Sequence, residues 1–155
     1  VARPDQDVQG GSHADAAVLH QLTRRLLERR AGPGASVMSL TSAANAAYED
    51  LLRVVTPVLG ERGVDALVGR ALHITGRQYP DLARTATDRP ERSFADAMEN
   101  LPTQNLAAAT DALAAFFSIF AGLLVTFIGK ALTARLLAQA WPDAFPIDLK
   151  GAITA

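Results

Sequence analysis

Apolar residues recur at helical spacing through most of the chain, and glycine and proline cut the pattern into pieces. Val18, Leu19, Leu22, Leu26 and Leu27 follow the 3.6-residue period. They predict a helix from about His13 to Arg30, capped by Ser12 and stopped at Gly32-Pro33-Gly34. A second helix is expected over Thr41–Leu59, with Tyr48, Leu51, Leu52, Val55 and Leu59 inward and Pro57 disturbing its last turn. Gly60-Glu61-Arg62-Gly63 reads as a turn. A third helix, Val64–Tyr79, buries Leu67, Val68, Ala71, Leu72 and Thr75 and stops at Pro80. Residues 80–92 have weak periodicity and two prolines, and read as a loop. Ser93 and Asp96 resemble a capping pair for a short helix ending near Asn100.

From Thr103 to Trp141 there is no proline. A single helix of that length would reach about 58 Å, whereas a compact domain of this size is only about 40 Å across. The expected break is Gly129, which gives helices over 103–128 and 130–141, the latter with Leu132, Leu136, Leu137 and Trp141 inward. Residues 1–12 are polar and turn-rich and read as a disordered leader, the tail 143–155 as an extended strap. The expected domain, over 13–142, is an all-α helical bundle of five or six helices.

Two stretches look alike: Val55-Thr56-Pro57-Val58-Leu59-Gly60, and Val125-Thr126-Phe127-Ile128-Gly129 with one gap. Each precedes an amphipathic helix and then Pro-Asp, at Pro80-Asp81 and Pro142-Asp143. Duplicated helix–Gly–helix hairpins would form a four-helix core, each glycine supplying a left-handed cap.

Composition agrees with an all-α fold and narrows the function. The chain has 155 residues, of which 30 are alanine and 6% aromatic. With no cysteine, disulfides, thiolate metal sites and cysteine nucleophiles are excluded. A net charge of −1 lacks the basic footprint of a nucleic-acid binder. Thirteen of the 15 basic residues are arginine, which with the alanine excess suggests a high-GC bacterial source. No secretory signal precedes the first helix, so a cytoplasmic location is expected. Arg24, Arg25, Arg29 and Arg30 read as a solvated face.

Residues 112–129 carry no charge, and a small-residue stripe, Ala114, Ser118, Gly122 and Thr126, runs along them at four-residue spacing. Such stripes let helix backbones approach closely. The segment is expected at the centre of the bundle, at the interface of a homodimer or a contact with another protein, or across a membrane. Asp111 beside it and the lack of a basic cluster or aromatic belt argue against the membrane.

Catalytic motifs are sparse. His13 and His20 are about 10 Å apart along a helix, too far to share a metal ion. There is no Gly-x-Ser-x-Gly elbow, and the six residues between Gly122 and Gly129 do not fit a phosphate loop. Arg70, His73 and Arg77 share one helix face and could meet an anion. The stretch Ala71-Leu72-His73-Ile74-Thr75-Gly76 resembles the histidine-bearing helix of phosphotransfer bundles, which implies phosphotransfer through His73, although the family's glycine falls four residues after the histidine and Gly76 falls three. Tyr79 and Trp141 each end a helix before a proline. With Phe116 and Phe120 they could line an inter-helix ligand pocket, with Arg70 or Arg77 at its polar end. The leading expectation is a non-enzymatic regulatory or protein-interaction domain without a cofactor or metal, acting through helix packing and self-association. A small-molecule sensor and a phosphotransfer protein are the rivals.

Overall fold

The computed structural model describes residues 4–80, 94–99, 101 and 105–144, with residues 4–15 and 96 described by their backbone alone. Among the described residues the protein is all-α, with five helices: α1 Pro4–Ala31, α2 Val37–Gln78, α3 Phe94–Glu99, α4 Leu106–Ile128 and α5 Lys130–Ala140. The loop expected over 80–92 and the tail from Phe145 onward fall outside the described residues, apart from Pro80.

The helix ends follow from local chemistry, in places not where periodicity put them. α1 starts at Pro4 rather than His13. Proline suits a first helical turn, where its missing N–H has no partner to lose. α2 starts at Val37 because Ser36 and Ser39 form a reciprocal capping box, Ser39 N–H to Ser36 Oγ 3.2 Å and Ser36 N–H to Ser39 Oγ 2.8 Å. Thr41, the expected start, is already helical and its hydroxyl donates to the Val37 carbonyl at 2.7 Å. The expected four-residue turn at 60–63 shrinks to Gly60 alone, with the helix resuming at once. Gly63 is instead a packing residue, since a Cβ there would lie 3.2 Å from that of Leu59. Asn105 caps α4 by accepting from Ala108 N–H at 3.1 Å, and Gly129 alone separates α4 from α5.

The two breaks share one geometry. Gly60 has φ 78° and ψ 163°, Gly129 φ 87° and ψ 164°. These values lie in the extended positive-φ region that is essentially restricted to glycine, not in the left-handed helical cap expected from sequence. The likeness extends along both flanking helices. A shift of 69 residues carries Gly60 onto Gly129 and the cap Ser36 onto the cap Asn105. It also carries Thr41 onto Thr110, whose hydroxyl likewise donates four residues back, to Leu106 at 2.8 Å. Buried Leu40, Ala43, Ala44, Ala47, Leu51 and Val55 fall on buried Ala109, Ala112, Leu113, Phe116, Phe120 and Leu124. Beyond the glycines, Val64, Leu67, Val68, Ala71 and Leu72 fall on Thr133, Leu136, Leu137, Ala140 and Trp141, again all buried. The register therefore has no gap, and Pro80-Asp81 does not correspond to Pro142-Asp143. Burial and capping repeat while residue identity mostly does not, which is why the short string match misplaced the alignment.

α4 is the central helix, packing on α1, α2 and α5. Its N-terminal half is enclosed: Ala112 through Phe117 are all buried. Its mate in the repeat, the first arm of α2, carries Tyr48, which stacks on Phe94 of α3 with centroids 4.1 Å apart. The two units are tied across the core where the Trp141 indole N–H donates to the Ala47 carbonyl at 3.0 Å.

Candidate functional site

The aromatic residues expected to line a pocket sit in the core. Phe116, Phe120 and Trp141 are fully buried. Their rings form a chain of contacts: Phe116 to Phe120 at 6.2 Å, Phe116 to Phe117 at 5.3 Å, and Phe117 edge-on to Trp141 at 5.5 Å. Tyr79 stands apart from this chain. It is half-buried near Asp111 and Arg24; burial first, then the Asp111 charge, raises its pKa while Arg24 opposes them.

Arg70, His73 and Arg77 lie exposed along the second arm of α2, as their spacing requires. The Arg77 Nη2 and His73 Nε2 atoms are 3.5 Å apart. The structure thus separates the expected ligand residues into an aromatic core, a half-buried tyrosine and an exposed basic face.

Arg25 and Arg29 of α1 are exposed as the solvated-face expectation had them, whereas Arg24 and Arg30 are half-buried and depart from it. Arg24 pairs with Asp111 of α4 and with Glu28 of its own helix. Arg30 pairs with Asp50 of α2 at 2.8 Å and reaches Asp143 at 3.7 Å, while Arg29 donates to the Asp143 carbonyl. Beside Arg24, the buried Thr23 hydroxyl donates to the Ala114 carbonyl across the interface at 3.1 Å. α1 is therefore fastened to α4 and α2 by polar contacts within and just beyond an apolar stripe of Leu19, Leu26 and Leu27. A run of like charges gives no hint of acidic partners 87 and 20 residues away.

Of the small-residue stripe, Ala114 belongs to this α1 contact and is fully buried, so it is not available to a second chain. Ser118 and Gly122 are half-buried and Thr126 is exposed. Beside them runs a row of large residues: Ile119 and Leu123, both half-buried, and Phe127, which is 67% exposed. α4 is long and apolar enough to cross a membrane, with a mean hydropathy of 2.1 in its most apolar window, and half of that window is buried inside the protein.

The internal repeat gives this face a reference. The first-arm positions matching Ser118, Ile119 and Gly122 are Glu49, Asp50 and Arg53, the latter two an ion pair at 3.0 Å. At these matching positions, α2 carries charge and α4 none. Phe127 corresponds to Val58, which is 44% exposed. Among the described residues no group of three or more His, Asp or Glu side chains is placed to hold a metal ion.

The chain matches no family model, no curated protein and no solved structure.

Proposed function

We propose that this chain is a non-enzymatic protein-interaction module that works by helix packing and self-association. One observation carries the reading: Phe127, 67% exposed, stands beside the half-buried Ile119 and Leu123 on an uncharged face of the C-terminal half of α4, while the matching positions of α2 include Glu49, Asp50 and Arg53. Large apolar side chains lose favourable burial when left in water, roughly 25 cal/mol for each Å². Phe127 can recover that energy only by packing against something outside the described fold. Two supports are general. The core aromatic rings pack on one another, and no buried side-chain nitrogen or oxygen among the described residues lacks a hydrogen-bond partner that a ligand would supply. The Asp111 boundary and the share of α4 already buried favour a protein partner over lipid. A regulatory role in the bacterial cytoplasm fits this reading.

The test is the mass in solution. Sedimentation velocity of the full chain in surfactant-free buffer is expected to show a species at twice the 16.4 kDa chain mass, growing with concentration. A particle of single-chain mass at every concentration up to the millimolar range overturns the reading.

A further inference from the structure

We infer that Arg70, His73 and Arg77, on the second arm of α2, form a binding site for a phosphate dianion, either free or carried on a phosphorylated side chain. The site is independent of self-association. The three residues stand three and four positions apart, so their side chains leave one face of the helix on successive turns. All three are exposed. The acidic residues of the same arm, Asp65 and Glu61, fall roughly 110° and 150° round the helix from the middle of this row.

Two observations single the row out. The first is its pairing. Arg24, Arg30 and Arg53 each reach a carboxylate. Arg70, His73 and Arg77 reach none among the described residues, and the contact they do make is with one another: Arg77 Nη2 lies 3.5 Å from His73 Nε2. A cation in the last turn of a helix is favoured by the exposed carbonyls there. The Arg77 guanidinium turns back one turn to the imidazole instead, and holds a permanent positive charge beside it. Two nitrogens 3.5 Å apart can each bond a different oxygen of one phosphate, with Arg70 one turn away as a third donor. Phosphate offers these donors more acceptor oxygens and more negative charge than a carboxylate does. The second observation is the repeat. The shift of 69 residues puts Ala140, the last residue of α5, on Ala71, so α2 runs seven residues further, to Gln78. That extra length carries His73 and Arg77, and the exposed Gln139 stands where α2 has Arg70. The helix–Gly–helix unit therefore folds without a basic row, and only one of the two units carries it.

The test follows the His73 imidazole resonance of the full chain by nuclear magnetic resonance, as inorganic phosphate or phosphoserine is added at constant pH and ionic strength. A saturating shift is expected. Arg70→Gln and Arg77→Gln, at exposed positions, are each expected to weaken binding about fivefold, the loss of one charge-assisted contact. Arg135→Gln, at an exposed arginine of α5, leaves it unchanged. Tighter binding of phosphoserine than of inorganic phosphate assigns the site to a phosphorylated side chain, and equal binding assigns it to the free ion. The same shift with chloride at matched ionic strength, or an undiminished response in both α2 variants, overturns the site. So does a response that wild type lacks and that appears only when Asp81→Asn, Asp88→Asn and Glu91→Gln are combined, because the chain's own carboxylates would then be the occupant.

Discussion

Tyr48 shows how a single side chain links core packing to pH. Its ring stacks on Phe94 and leans on Phe116, 6.4 Å away. Burial first, and then the nearby Asp65 charge, raises its pKa above the usual 10.0. The unfolded tyrosine therefore loses its proton before the folded one. The stability held by the neutral phenol is complete below about pH 10 and drains away as pH rises through the higher folded value. Thermal melts between pH 9 and 12 are expected to show Tyr48→Phe losing less stability over that range than wild type, because phenylalanine keeps the stack and has no proton to lose. Parallel curves for the two proteins would remove Tyr48 from the alkaline transition.

At the scale of the helical elements, the glycines divide by what holds them. Gly60 and Gly129 keep positive φ with no neighbour within 4 Å of an added Cβ, so their requirement is purely one of backbone conformation. Alanine at either site is expected to cost about 1–3 kcal/mol, and nearly the same amount at both, since their dihedrals agree within 9° in φ and 1° in ψ. Chemical denaturation of Gly60→Ala and Gly129→Ala measures this. A cost at one site and none at the other would mean that the elbows are not energetic equivalents. The elbows explain how so long an apolar run stays inside a small protein. Each turns the chain with one residue, and both helices remain capped: the Gly129 N–H bonds to the Val125 carbonyl at 2.9 Å, and the Gly129 carbonyl accepts from Thr133 N–H at 3.2 Å.

For the whole molecule, the two repeat units are not separate domains. Trp141 of the second donates to Ala47 of the first, and the rings of Tyr48, Phe94, Phe116 and Phe117 form one cluster drawn from α2, α3 and α4. α1 spans both units through Arg24, Thr23 and Arg30. Unfolding is therefore expected to be a single cooperative transition. Trp141, the one tryptophan of the chain, lies at the junction, so its fluorescence and the far-ultraviolet circular dichroism should change at the same denaturant concentration. Separated midpoints would show that the units melt independently.

Much of this architecture was legible from the chain alone. The apolar periodicity, Gly129 as a break, the short helix before Pro102 and the inward positions of the last helix all follow from local rules of spacing and backbone freedom. The repeat was visible only as a fragment, because what recurs is burial, capping and one dihedral pair rather than residue identity. Long-range matters were decided elsewhere. Sequence periodicity can say that a helix face is apolar, but which part of α4 lies under α1 depends on how separate helices meet, and that removed Ala114 from the exposed stripe while leaving Phe127 in water. Likewise Arg24 and Arg30 found Asp111 and Asp50 only because packing brought α1 across α4 and α2. Local chemistry determined where helices begin, bend and stop; the tertiary structure decided which charges are paired and which apolar face is left over, because both depend on contacts between residues far apart along the chain.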